Sequence, residues 1–394
     1  MLKSRLCIAF FAFAVGCAPA QKPLTDYVNP MLGTATLWDS VDLGFKPTKR
    51  TWGAEVFPGS SLPNAMVQVS PVTKFHSGAG YQYEDSVIYG FTHTNKGHWN
   101  LCHIPLLPVT GTPTPGDYCS PFSHERESAA PGYYQVFLDR YGVDAQLSST
   151  LRCAFHKYTY PAGAAASLLA DLQRSNEHVR AWDIRKEGDN VFAGWQQTGE
   201  KMYFYAVANR PVTGIEPVVE GDREVRIVRF GEGDGALELR IGFSFVSEKN
   251  ARENLEAEML GKSFAEVRSE ATATWNDLLG RIRVEGGTER EKGLFYSSLY
   301  RSFLWPALRS DVNGEFTDVD GKVINPGFRY YTGPSYWDDY RNKLILLGML
   351  APDVAADVIS SDTDKGEKRG GFMPTFFHGD HASAFVAGTY LRGN

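Results

Sequence analysis

The chain predicts a mixed fold, β first and α after: an N-terminal β-sandwich followed by the start of an all-helical domain. Leu237, Leu239, Ile241, Phe243 and Phe245 alternate with Glu238, Arg240, Gly242 and Ser244, the period of two that marks a half-buried antiparallel strand. Val143, Ala145 and Leu147, then Leu151, Cys153 and Phe155, repeat that period. Beyond residue 250 the apolar spacing becomes helical, so runs of strands are followed by runs of helices. The 394 residues are 43% hydrophobic, enough for two or three domains with a sizeable core. A net charge of −6 without a Lys/Arg block argues against nucleic acid as a partner. Aromatics reach 13%, which suits carbohydrate stacking and sheet cores equally.

Taken in order, residues 1–20 read as an export signal. Lys3 and Arg5 precede an apolar run over residues 6–16 that is too short to span a bilayer. Ala18-Pro-Ala20 offers small-residue cleavage, while Ala14-Val-Gly-Cys17 resembles a lipobox whose Cys17 would carry a lipid anchor. A soluble periplasmic protein and a surface lipoprotein both follow from these residues, and the anchor at Cys17 is the sole membrane contact they imply. The sandwich spans residues 21–250. Within it, residues 202–208 are apolar on both sides, as in a central strand, and Gly188-Asp189 and Gly221-Asp222 mark turns. Linker helices cover 251–288, with a helical pattern over 254–279, and a helical domain covers 289–394. It opens with a helix over 289–305 that Pro306 ends. A loop or hairpin over 311–333, a helix from Ser335, a short helix after Pro352, a polar linker over 360–371 and a last helix over 381–391 follow. Cys102, Cys119 and Cys153 allow one disulfide and a thiol, or three thiols.

The stretch richest in chemistry is Ser335-Tyr-Trp-Asp-Asp-Tyr-Arg341. Trp337, Tyr340, Leu344 and Leu347 recur at helical spacing, and Asp338 and Arg341 are three apart, close enough on a helix to meet. Aromatic rings beside a carboxylate and a guanidinium suit a sugar, whose C–H faces stack and whose hydroxyls bind charge. The same residues also fit a structural role. Ser335 and Asp338 have the spacing of a capping box, Asp339 and Lys343 that of an exposed ion pair, and Trp337 reads as core. His378-Gly-Asp-His381 places two histidines and an aspartate within transition-metal spacing, yet no further cluster completes a site and Asp380 reads as a helix cap.

Several segments, in their order, resemble the family-92 glycoside hydrolases. Asn29-Pro-Met-Leu-Gly-Thr34 is similar to that family's Val-Asn-Pro-x-Ile-Gly-Thr opening, and residues 57–71 to its Pro-Gly-Ala and Ser-Pro segment. Phe91-Thr-His-Thr94 resembles its Phe-Ser-His-Thr, Ser298-Leu-Tyr-Arg301 its Ser-Leu-Tyr-Arg, and Tyr336-Trp-Asp-Asp-Tyr-Arg341 its Trp-Asp-Thr-Tyr-Arg. The resemblance implies an N-terminal β-sandwich and a C-terminal (α/α)6 barrel, Ca2+ as cofactor, and exo-hydrolysis of α-mannosides with inversion on a mannose-containing glycan. It implies that Asp338 and Arg341 reach the bound mannose, that His93 binds a hydroxyl, and that His98 and Trp99 line the leaving-group side. His93 also reads as a structural histidine at a strand end. Asn95-Lys-Gly-His-Trp-Asn100 stands where the family carries a His and a Gly-rich run, so no linkage preference is implied. The family's catalytic acid, base and most calcium ligands belong to later barrel helices, so none is assigned here, the barrel is expected to be truncated at Asn394, and this length of chain alone is expected to be inactive. The rival from another class is a glycan-binding protein without turnover.

Overall fold

The computed structural model describes residues 22–36, 44–46, 53–96, 99–373 and 379–393, with the backbone alone at Asn95, Lys96 and Trp99. The expected signal segment with Cys17, and also His98 and His378, lie outside the described residues.

Two antiparallel sheets form the sandwich. The first runs, edge to edge, Ser60–Ser61, Gln68–Val72, Gly90–Thr92, Leu106–Val109, Ser167–Ala170, Arg223–Phe230 and Val212–Glu220. The second runs Ala181–Gly188, Val191–Gln197, Lys201–Ala208, Leu237–Ser244, Cys153–Thr159, Val143–Ser149, Tyr133–Leu138 and Glu127–Ala130. Their facing side chains make one core, in which Leu147, Phe204, Ile227 and Ile241 are all fully buried. Gly188-Asp189 and Gly221-Asp222 stand at hairpin turns, as their composition requires. The strand over 201–208 is apolar on both faces for a specific reason. Met202, Phe204 and Ala206 enter the main core, while Tyr205 and Val207 pack outward under helical residues such as Leu255 and Met259.

Helices follow. The single expected run over 254–279 is two helices, α1 (Glu248–Glu258) and α2 (Phe264–Leu279), because Ser263 and Glu266 form a capping box that restarts the helix. A second box, Thr288 with Glu291, opens α3 (Glu289–Ser302). A hairpin pairs Phe316–Thr317 with Val323–Ile324 inside the expected loop. Then come α4 (Tyr336–Asp339), α5 (Lys343–Leu350), α6 (Pro352–Lys368) and α7 (His381–Leu391). The polar linker expected from residue 360 is instead the second half of α6. Its polar residues face inward: Asp362 accepts from the Tyr336 hydroxyl at 2.5 Å and from Lys365 Nζ at 2.8 Å. Among the described residues no helix is long and apolar enough to cross a membrane. Cys102, Cys119 and Cys153 are free thiols, the first and last buried.

The seam between sandwich and helices is stitched by hydrogen bonds. Trp275 Nε1 donates to the Ser61 carbonyl at 2.7 Å, Asn64 N to the Phe303 carbonyl at 2.6 Å and Asn64 Nδ2 to the Pro306 carbonyl at 2.8 Å. Both partners of each bond are buried, so the two parts are fixed relative to one another at this seam.

Candidate functional site

A cleft of about 150 Å³ lies along the seam. The sandwich contributes Glu55, Val56 and Phe57; the end of α3 contributes Arg301, Leu304 and Trp305; the α4 turn contributes Ser335, Asp338 and Asp339, and α5 begins with Lys343. Arg301 fixes the floor. Its Nη2 donates to the carbonyls of Leu32 and, at 3.3 Å, of Pro30, while the backbone N–H of Asn29 donates to Ser297 Oγ at 2.9 Å. The 29–34 and 298–301 segments therefore hold each other. Gly33 adopts φ +86°, and a side chain there would sit 2.9 Å from Arg301 Nη1, so the close approach requires glycine. Burial lowers the Arg301 guanidinium to about 10, which still leaves it charged at neutral pH. Above this floor Trp305 is held by Nε1 donating to the Gly333 carbonyl at 3.2 Å.

Asp338 reaches the cleft, exposed, and its Oδ2 accepts from Ser335 Oγ at 2.5 Å. The two side chains bond each other, and neither caps the α4 backbone, which corrects the capping-box alternative. Asp339, expected at the solvated surface, also lines the cleft and pairs with Lys343 at 3.0 Å, partly buried. Arg341 does not join Asp338. It is exposed outside the cleft lining, its Nε donating to the Tyr340 hydroxyl at 2.9 Å, and Tyr340 in turn stacks on His381 at 4.2 Å. Arg341 lies past the end of α4 at Asp339, whose C-cap is Tyr340, and Asn342 then leaves helical geometry at φ −137°, its Oδ1 taking the Lys343 N–H. Trp337, inside α4, is 46% exposed, where a core position was expected.

His93 is corrected as a hydroxyl ligand: it is fully buried between the sheets. Its Nε2 lies 3.1 Å from Nε2 of His156, whose Nδ1 lies 2.5 Å from the Tyr158 hydroxyl. Burial drives the His93 imidazole down to about 3 and that of His156 well below its usual value. His98 lies outside the described residues. Trp99 opens the second strand of the small ladder Asn95–Lys96 with Trp99–Asn100. Asn100 N–H donates to the Gly78 carbonyl at 2.8 Å. Asp380 caps α7 by accepting from Ser383 N–H at 3.2 Å, while His381 is spent on Tyr340.

The cleft residues not anticipated individually are Glu55, Phe57, Arg301, Trp305 and Lys343. Arg301 and Phe57 lie within motifs that the sequence does display. Nothing around Glu55 marks it. Chemically the cleft offers carboxylates, an indole edge and a fixed cation, a donor and acceptor set suited to one polar ring. Among the described residues no three His, Cys, Asp or Glu side chains gather as metal ligands. Asp338 and Asp339 are engaged singly by Ser335 and Lys343. The described residues therefore do not fit a calcium ion, and no step is derived through one.

A sheet-rich domain joined to helices across a seam cleft defines the architecture, and the comparisons define the family. Residues 27–253 match the Glycosyl hydrolase family 92 N-terminal domain and residues 250–393 the Glycosyl hydrolase family 92 catalytic domain, so the chain belongs to glycosyl hydrolase family 92. It is similar to a family GH92 alpha-mannosidase from Bacteroides thetaiotaomicron, with 26% identity and a TM-score of 0.83 over 93% of this chain and 54% of that one. A family GH92 inverting mannosidase from the same organism is similar at 25% identity and a TM-score of 0.82, over 95% of this chain and 54% of that one. An uncharacterized secreted glycosidase of Arthroderma benhamiae is 24% identical over 73% of this chain and 42% of its own length. The chain thus spans about half the length of the relatives it matches.

Proposed function

We propose that the protein is an exported, exo-acting α-mannosidase that removes non-reducing-end mannose from mannose-rich glycans with inversion. The seam cleft takes the terminal sugar. The observation that carries this reading is the convergence of three motif segments on one small cleft: Phe57 from the sandwich, Arg301 and Trp305 from the end of α3, and Asp338 from α4. Similarity to an inverting mannosidase and to a protein described as secreted supports inversion and export.

In an inverting reaction one carboxylic acid protonates the glycosidic oxygen, and a second carboxylate activates water on the opposite face, about 6.5–9.5 Å away. Asp338 is assigned the other task, accepting a hydrogen bond from a sugar hydroxyl, with Ser335 fixing its rotamer. Trp305 supplies an apolar edge, and Arg301 keeps the 29–34 loop in place behind the sugar.

The first test is calorimetric titration with methyl α-mannoside of the chain, to which no acid or base is assigned, and of Asp338→Asn. A charged hydrogen bond is worth roughly 1.5–3 kcal/mol, so the variant should bind about 10–100-fold more weakly. Its Tm should stay unchanged, because Asp338 is exposed. Wild-type affinity in the variant would remove Asp338 from the site. Turnover of an aryl α-mannoside is read on this chain joined to the later barrel helices that the resemblance implies: β-mannose as the first anomer seen by NMR is the expected product, binding with no release there would give the glycan-binding rival, and turnover unchanged by a chelator removes calcium from the account.

A further inference from the structure

A groove of about 640 Å³ runs between α2 and the outward face of the second sheet, and no residue that lines it lines the seam cleft. Gln146 and Lys157 stand directly opposite each other on the neighbouring strands Val143–Ser149 and Cys153–Thr159, so both project from the same face of the sheet. Arg268 and Ser269 close the groove from α2. Both cations are held by rings rather than by acids. The Arg268 guanidinium lies 3.6 Å from the centre of the Tyr133 ring and Lys157 Nζ 5.7 Å from that of Phe264, and these two rings meet edge to face at 6.3 Å.

The acids on the same elements are already engaged. Asp144 accepts from Gln135 Nε2 at 2.7 Å and from Gln146 Nε2 at 2.8 Å, and Glu266 accepts from Ser263. Glu270 pairs with Lys262 at 2.6 Å and Asp277 with Arg281 at 2.9 Å. Glu238, opposite Lys157 on the next strand, pairs with Arg240 at 3.1 Å. The groove is therefore lined by two cations and by no carboxylate, and its field favours an anion. A guanidinium laid on a ring keeps its N–H edge for a ligand, and an ammonium keeps three donors. One such fork suffices for a carboxylate, whereas two cations on one groove match the double charge of a phosphate monoester. Phosphate alone would leave most of the space unfilled, since cavities of about 300–1,000 Å³ take whole small molecules, and Gln146 and Ser269 add neutral polar groups suited to hydroxyls. We propose that this groove is a second binding site, separate from the seam cleft, for a phosphorylated sugar whose phosphate is held between Lys157 and Arg268.

The experiment is calorimetric titration of the full chain, at low ionic strength, with glucose 6-phosphate and with inorganic phosphate, each alone and in the presence of excess methyl α-mannoside. Glucose 6-phosphate should bind the wild type about fivefold tighter than inorganic phosphate, the worth of one neutral hydrogen bond from the sugar ring. Lys157→Gln and Arg268→Gln should each weaken glucose 6-phosphate about fivefold, the share of a partly exposed charge contact. The neutral mannoside, directed to the seam cleft, should displace none of it. Thermal melts establish that both variants are folded, as the exposure of Arg268 and the half-burial of Lys157 lead one to expect. The inference is overturned if glucose 6-phosphate does not bind, if inorganic phosphate binds as tightly, if both folded variants keep wild-type affinity, or if methyl α-mannoside competes.

Discussion

Acidification should destabilise this protein through one buried contact, the His93–His156 pair. With Nε2 facing Nε2 at 3.1 Å, one nitrogen must donate and the other accept. Two protonated rings would set N–H against N–H in a site closed to water. The groups packed around the pair are the Tyr158 hydroxyl, the Phe243 ring at 4.5 Å from His93 and, acting as a like charge on His93, His103. No carboxylate is among those that shift either ring. A histidine whose folded pKa lies below its unfolded value contributes stability that is fully present above the unfolded pKa and is lost as pH falls toward the folded one. For His93 that window runs from 6.5 down to about 3. At pH 5 each histidine held neutral forfeits about 2 kcal/mol, so the pair forfeits about 4 kcal/mol relative to neutral pH. For a chain of this size that is roughly 4–8 °C in Tm. Differential scanning calorimetry from pH 7 to 5 should show this fall in the wild type and about half of it in His156→Gln, in which one ring no longer titrates. Identical Tm–pH curves for the two proteins, with the variant folded at pH 7, would refute the reasoning.

Other outcomes follow from the seam. Arg301→Met removes the donations to the Pro30 and Leu32 carbonyls and should cost about 2 kcal/mol in urea unfolding; faster proteolytic cleavage within residues 29–34 would accompany it. Trp275 is fully buried and donates to Ser61, so Trp275→Ala should cost about 3–5 kcal/mol by the same measurement, with a change below about 1 kcal/mol contradicting its place in the core.

The strands could be read from the chain because a half-buried sheet imposes a period of two, which residues 237–245 display without interruption. The inward face of α6 could not. Ser361, Asp362 and Lys365 look like a solvated linker until Tyr336, twenty-six positions earlier, supplies the partner that permits their burial. The candidate site divides the same way. Asp338 stands out because its neighbours form a recognisable motif, whereas the separation of Arg341 from it follows from α4 ending at Asp339, inside a pattern that reads as helical through Leu347. His93 is a loop-edge histidine in sequence and a core residue in space, since its partner lies sixty-three positions away. Glu55 carries no signal at all: its place where two cavities meet depends on a left-handed backbone conformation that the sequence does not announce.

The most direct measurement is a crystal structure of the full chain with mannoimidazole, the ligand carried by a related GH92 alpha-mannosidase. The sugar ring should lie in the seam cleft, with a hydroxyl on Asp338 and the ring edge against Trp305. A ring bound instead in the groove between α2 and the second sheet, beside Lys157 and Arg268, with the seam cleft empty, would contradict the account.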